Sequence, residues 1–208
     1  MVGDEELGRT ARKRRAILDA ARSVFLRKGY AGTSMDEVAA LAAVSKQTVY
    51  KQFTDKERLF TEIIHGVIGD AEESSVEIFD ELTGSEDLPD ALRRFAREHL
   101  AVVMGPEVVR MRRVIIGEAD RFPDLARTWY DRAPARAERI FADCFAELTR
   151  QGRLRVADPR LAAQHFNWLV LSVPLNQAMF DPDVTFTSRQ LHAYADEAVR
   201  IFLAAHTP

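Results

Sequence analysis

Cysteine is nearly missing from this chain. Cys144 is the single one in 208 residues, which excludes an internal disulfide framework and a multi-thiolate zinc site. No uncharged apolar run approaches the roughly 18 residues that a membrane span requires. Hairpin dipeptides of the Asn-Gly or Asp-Gly kind are absent, and no stretch alternates as a half-buried strand does. There is no Gly-rich phosphate loop, no Gly-x-Ser-x-Gly elbow and no His-Glu-x-x-His pair. The five histidines (His65, His99, His165, His192, His206) lack paired metal spacing, so neither a metal nor another cofactor is expected. Glu118, Asp120 and Asp124 read as a helix end and a helix start rather than an acid–base pair. No catalytic residue is assigned, and the chain is not read as an enzyme. The acidic opening Asp4-Glu5-Glu6 lacks the basic-then-apolar order of a secretory signal, so a cytoplasmic protein is expected.

What is present is a charge split. The overall net charge is −3, yet residues 9–58 carry twelve Lys and Arg against five acids, a local +7. Residues 59–208 carry 17 Arg against 24 acids, a local −7, and all five lysines fall before residue 59. A basic segment of about 50 residues joined to an acidic body fits a polyanion-binding module carried by a part that does not touch the polyanion. A solvated basic face is the alternative reading of the same numbers.

The periodicity is helical throughout, so the fold class expected is all-α. Ile17, Ala21, Val24 and Phe25 mark a first helix over about Thr10–Lys28, with Gly29 as its left-handed stop. Ser34-Met35-Asp36-Glu37 reads as a capping box opening a second, short helix. After a break at Ala43-Val44, Ser45 caps a third, very short helix to about Lys51. Thr54-Asp55-Lys56-Glu57 reads as another capping box, starting a fourth helix through Leu59, Phe60, Ile63, Ile64 and Val67. Beyond it, longer helices are expected from Pro89, after Gly105-Pro106, from Phe122-Pro123, from Pro134 to near Gly152, from Asp158-Pro159, and over about Ser188–Ala205. Pro174 is expected to kink the helix that begins at Pro159.

Short helices with a tight turn between the second and third form a helix-turn-helix pattern. A helix fits the DNA major groove when its outer face carries small or polar residues. Ser45, Lys46, Gln47 and Thr48 supply hydroxyl, cation, amide and hydroxyl on such a face, with Lys51 following. Val49, Tyr50 and Phe53 are placed to lock the helix to its module, with Tyr50 also a candidate for phosphate. Base contact is expected from Lys46 or Gln47. Backbone contact is expected from Thr33, Ser34 and Lys56 at helix N-termini, and from Arg12 and Arg15 in the basic run Arg12-Lys13-Arg14-Arg15.

These residues resemble the tetracycline-repressor-like (TetR) transcriptional regulators. The resemblance is carried by Gly29-Tyr30-Ala31-Gly32-Thr33-Ser34-Met35-Asp36-Glu37-Val38-Ala39, Ala42-Ala43-Val44-Ser45-Lys46-Gln47-Thr48-Val49-Tyr50-Lys51-Gln52-Phe53 and Asp55-Lys56-Glu57-Arg58-Leu59-Phe60. In the family the residue matching Tyr50 usually sets its hydroxyl on a phosphate. The family usually has glycine where this chain has Ala43. A left-handed alanine there costs about 1 kcal/mol. The stretch Arg113–Ala126, with Tyr130, Pro134, Gly152-Arg153-Leu154 and Asp158-Pro159, is similar to the AefR-like branch. The resemblance implies an all-helical homodimer with a small-molecule pocket in the larger domain and an interface built by the last two helices. The expected division is a helix-turn-helix DNA-binding domain over 10–58 and a ligand-binding and dimerisation domain over 59–208.

Pocket candidates are Phe95, Met104, Met111, Trp129, Phe141, Phe145 and Phe166, with His99 and Asn167 as orienting polar groups; for each, ordinary core packing is the competing reading. The helix from Pro159 is apolar almost all round and needs a second neighbour besides its own core. Leu161, His165, Trp168, Leu169 and Ser172 on it, with Leu191, Ala195, Ala198 and Phe202 on the last helix, are the expected dimer interface. The function expected is a regulator, repressing from a pseudo-palindromic operator as a homodimer and released by a small, hydrophobic ligand. Two alternatives remain: a helical ligand carrier or enzyme with an incidental basic segment, and a regulator of this kind without a small ligand.

Overall fold

The computed structural model describes the backbone of residues 2–70 and 75–208, and the side chains of 8–66 and 79–208. The described residues form helices only: α1 Val2–Gly32, α2 Met35–Leu41, α3 Lys46–Gln52, α4 Lys56–Asp70, α5 Ser75–Gly84, α6 Leu88–Val103, α7 Pro106–Gly117, α8 Pro123–Arg132, α9 Pro134–Arg150, α10 Pro159–Phe180 and α11 Ser188–His206. They fall into two compact units. The head runs up to Asp70 and takes in Val114–Trp129; the body runs up to Arg113 and resumes at Tyr130–Pro208. The units therefore do not divide at residue 58: the head includes all of α4 and the end of α7 with most of α8.

In the head, α1 begins at Val2 rather than Thr10. The expected break at Gly29 is there: its φ of 70° kinks the chain, and a last turn follows to Gly32. Ile17, Val24, Phe25, Val38, Val49, Phe53, Leu59 and Ile64 close the interior. Val67, assigned by periodicity to the inner face of α4, lies outside the described side chains.

The short helices depend on their ends. Ser34 Oγ accepts the Glu37 N–H at 3.2 Å. The reciprocal half of that capping box is replaced: the Glu37 carboxylate takes Lys28 and Arg27, each at 2.7 Å, and these cations hold its carboxyl below the usual carboxylate range. Ser45 caps α3 as expected. α4 is capped by Asp55, not Thr54; Asp55 Oδ1 accepts the Arg58 N–H at 2.7 Å. A carboxylate adjoining the helix start outcompetes a hydroxyl one residue further away.

Aromatic rings complete the head. Tyr30 meets Phe25, Phe60 and Phe122 with centroids 5.9, 5.1 and 4.8 Å away. The Arg121 guanidinium lies 4.8 Å from the Tyr30 ring centre and the Lys56 ammonium 4.5 Å from it. Thus Phe122, just before α8, is a structural part of the head.

The body also contains α5, a helix that the periodicity of the chain does not mark out. α9 buries Phe141, Cys144, Phe145 and Leu148, a helical stripe of one face. Phe145, Phe166 and Phe202 form a closed triangle with centroids 5.5, 5.0 and 4.8 Å apart. Each ring so buried contributes roughly 1.5–3 kcal/mol of transfer free energy. The Cys144 thiol sits in this interior, and burial pushes its pKa up to about 12. Arg97 clamps Asp196 through two hydrogen bonds of 2.7 and 2.6 Å, tying α6 to α11.

Helix α10 runs through Pro174 and continues to Phe180. The Tyr194 hydroxyl accepts the Val173 N–H at 3.3 Å and meets Ser172 Oγ at 3.0 Å, so the turn at this proline has a partner from α11.

Candidate nucleic-acid interface

Helix α3 presents one face inward and the other outward. Val49 and Phe53 are buried, whereas Ser45, Lys46, Gln47, Tyr50 and Lys51 are exposed and Thr48 is half-buried. Tyr50, which periodicity allowed as a core lock, is 44% exposed, and Val49 and Phe53 are the buried residues that anchor the helix. Ser45 Oγ lies 2.8 Å from Thr48 Oγ1, which fixes both hydroxyls at the helix start. Lys46 Nζ is 2.7 Å from the exposed Asp36 carboxylate on α2 and 5.9 Å from the Tyr50 ring centre. That ion pair raises the Lys46 pKa, the Asp36 hydrogen bond being its main cause. The turn before α3 holds Ala43 at φ 52°, a left-handed alanine. Val44 N–H donates back to the Ala39 carbonyl at 3.0 Å.

Two expected backbone-contact residues point the other way. Thr33 is only 4% exposed, and its hydroxyl donates to the Gly29 carbonyl at 2.8 Å. Lys56 donates to the Tyr30 and Thr33 carbonyls at 2.9 and 3.0 Å while covering the Tyr30 ring. Both are clasps on the kinked end of α1, where Gly29 frees carbonyls from the helical ladder. Arg14 of the basic run also turns inward, to Glu62 at 2.9 Å and over the Phe53 ring at 4.5 Å. Ser34, Arg12 and Arg15 are exposed. Ser34 is occupied as a cap, and Arg12 Nε donates to the Gly8 carbonyl at 3.3 Å.

The pocket candidates do not form one site. Phe95, His99, Phe141 and Asn167 come together: the His99 ring stacks on Phe95 at 5.8 Å, meets Phe141 edge-on at 5.2 Å, and its Nε2 is 3.0 Å from Asn167 Oδ1. Phe166 bridges this group to the core by packing on Phe141 at 5.8 Å. Phe145 belongs to the core triangle instead, because its ring faces Phe166 and Phe202. Met111 is buried and Met104 is half-buried against the body core. Trp129 is part of the head unit, because α8 follows the end of α7 into it.

The interface candidates also divide. Leu161, His165 and Trp168 are exposed on α10, Trp168 by 55%, with Leu169 and Ser172 half-buried beside them. Ala195, Ala198 and Phe202 are buried within the subunit, and Leu191 packs against the same core half-buried. The apolar residues Ala195, Ala198 and Phe202 of α11 pack into its own domain. Tyr194, Ile201 and Ala205 line an open groove of about 570 Å³ together with His165, Trp168 and Leu169. Ala198 and Phe202, buried within the subunit, line it as well.

Two family models match this chain. Residues 17–63 match the bacterial regulatory proteins of the tetR family, and residues 90–208 match the C-terminal domain of AefR-like transcriptional repressors. The chain belongs to the TetR family. A solved TetR-family transcriptional regulator from Mesorhizobium loti is 40% identical, with a TM-score of 0.87 covering 96% of this chain and 99% of that one. The flavonoid-responsive regulator FrrA is 30% identical, with a TM-score of 0.70 over 95% of this chain and 98% of its own. Curated relatives match over shorter stretches. RutR of Escherichia coli is 32% identical over 104 residues, which are 43% of this chain and 49% of RutR. YhgD of Bacillus subtilis is 49% identical over 51 residues, 24% of this chain and 27% of YhgD. This chain therefore spans about half or less of those curated relatives.

As a TetR-family protein it is a transcriptional regulator with an N-terminal helix-turn-helix DNA-binding domain and a helical C-terminal domain. The family is one of regulators rather than enzymes. Among the described residues no helix is long and apolar enough to cross a membrane, and no group of His, Cys, Asp and Glu is arranged to hold a metal ion.

Proposed function

We propose that this TetR-family regulator acts in the cytoplasm as a repressor: a homodimer seats two copies of α3 in a pseudo-palindromic operator and leaves it when a small molecule binds the body. The observation that carries the reading is the polar outer face of α3, where Ser45, Lys46, Gln47, Tyr50 and Lys51 stand exposed on a helix anchored by Val49 and Phe53. In a dimer the two helices must lie roughly 34–36 Å apart, one turn of DNA. Lys46 exchanges Asp36 for the nucleic acid, Gln47 reads a base edge, and Tyr50 and Lys51 meet phosphates. Arg12 and Arg15 add contacts along the duplex from α1.

The dimer forms through the exposed α10 face around Trp168 and the groove it shares with α11. An apolar helix face of this kind is stable in water once a partner covers it. The effector binds more tightly to a body conformation that sets the wrong α3 spacing. Only this difference in affinity moves the population off DNA.

The test begins with selection of bound fragments from a random DNA pool and continues with gel shifts on the selected site. Gln47→Ala should relax base preference at one position per half-site. Tyr50→Phe should weaken all sequences alike. Trp168→Asp should give monomers by sedimentation together with poor operator affinity. Selection of no common sequence, or full operator affinity in a monomeric W168D protein, overturns the reading.

A further inference from the structure

One cation of the body carries a buried donor without a hydrogen-bond partner. Arg112 lies on α7 within the body unit, and its Nε is buried with no hydrogen-bond partner. Burial lowers the guanidinium's pKa, although the side chain as a whole is half-buried. A buried donor left open costs free energy, the more so when it carries charge, and the cost vanishes when an anion arrives.

The surroundings describe what that anion is attached to. His99 is near enough that the Arg112 charge, added to burial, holds its imidazole neutral below the ordinary range; the bond to Asn167 opposes this only in part. A neutral ring bonded through Nε2 to Asn167 Oδ1 leaves Arg112 as the positive group of this cluster. Its carboxylate, Glu138, accepts from Asn167 Nδ2 at 3.4 Å. Beside these polar groups stand flat walls: Phe95 stacked on His99, and Phe141 perpendicular to both, 5.1 and 5.2 Å away.

We infer that Arg112, backed by the His99–Asn167 pair and the Phe95 and Phe141 rings, is the receptor for the acidic group of a flat, mostly apolar effector, a carboxylate of aromatic type. The inference rests on the effector-controlled reading above and adds the chemical class of the effector. Arginine suits the task because its planar fork matches a carboxylate's two oxygens. Aromatic walls suit a flat apolar body and exclude the water that would screen the pair.

The full-length protein is titrated calorimetrically with 2-naphthoate and with 2-naphthamide, which share an outline and differ in charge. The acid should bind about ten-fold or more tightly than the amide, as a charge-assisted pair requires. Arg112→Met should erase that preference, and Arg112→Lys should keep part of it. The melting temperature of R112M without ligand should stay or rise, because a half-buried charge with an unpaired donor has gone. Equal binding of acid and amide, no binding of the acid, an unchanged preference in R112M, or a fall of its melting temperature overturns the proposal. Gel shifts with the selected operator separate the two claims. If acid and amide release DNA equally, effector control stands and Arg112 is not the receptor. If the acid binds through Arg112 and DNA stays bound, the receptor stands and the control does not.

Discussion

Helices α2 and α3 of the head have seven residues each, whereas α9, α10 and α11 of the body have 17, 22 and 19. Seven residues are too few to hold a helix in water without help from caps and packing. The head supplies that help with polar groups: Ser34, Ser45 and Asp55 at N-termini, Lys56 and Thr33 on freed carbonyls, Glu37 between two cations. The body relies on a continuous aromatic interior from Phe95 to Phe202. The lesson is that a basic residue in the head is not thereby a DNA contact. Some cations build the module and others face outward from it, and only the geometry sorts them.

The sharpest test of this contrast is Phe166→Ala in the body. Phe166 is 0% exposed and touches rings on three sides, so its loss should cost about 3–5 kcal/mol in denaturant unfolding. A cost under about 1 kcal/mol would mean that the interior is loosely packed around this ring. Next comes a pair of lysines in the head. Lys56→Met should cost about 1–3 kcal/mol of head stability, read by hydrogen exchange, because two carbonyls lose a charged donor. Lys46→Ala should leave stability nearly unchanged, since the Asp36 pair is exposed, and should instead weaken operator binding. Reversal of those two phenotypes would erase the distinction between building and contacting cations.

Much of the architecture was legible in the sequence. Pro89, Pro106, Pro123, Pro134 and Pro159 mark first turns, and Gly29 and Gly152 take positive φ at helix ends. These residues act locally, so their message survives without the fold. The outward face of α3 was legible for the same reason: Ser45 caps it and Val49 sets its inner side. The inward turn of Lys56, Thr33 and Arg14 was not, because their partners are carbonyls, a ring and a carboxylate brought close only by folding. Periodicity found the apolar stripe of α11 but could not say whose core it enters. Ala195, Ala198 and Phe202 enter their own.

Smaller effects refine the comparison. Ala43→Gly should stabilise the head by up to about 1 kcal/mol, since glycine meets φ 52° without the Cβ penalty and loses some of that gain through a freer unfolded chain. A destabilised A43G protein would show that the alanine methyl packs usefully.

In the body, acid should act at two sites. The His99 pKa lies below its ordinary 6.5. Its contribution is therefore complete above that value and is lost as pH falls from there toward the folded pKa. Stability should decline over that window, and His99→Gln should flatten the decline. The Arg97 bond lowers the Asp196 pKa, so that contribution fades only as pH drops below the ordinary 3.8. The pair is more than a third exposed on the arginine side, and Asp196→Asn should cost about 0.2–1 kcal/mol at neutral pH.

Phe122 has a practical consequence for transplantation. Its ring packs on Tyr30 and Phe60, so a graft that moves only residues 10–58 onto a foreign receiver would leave both phenylalanines behind and strip Tyr30 of its aromatic neighbours there. Builders of hybrid sensors from this chain should carry the Val114–Trp129 segment along as part of the cargo.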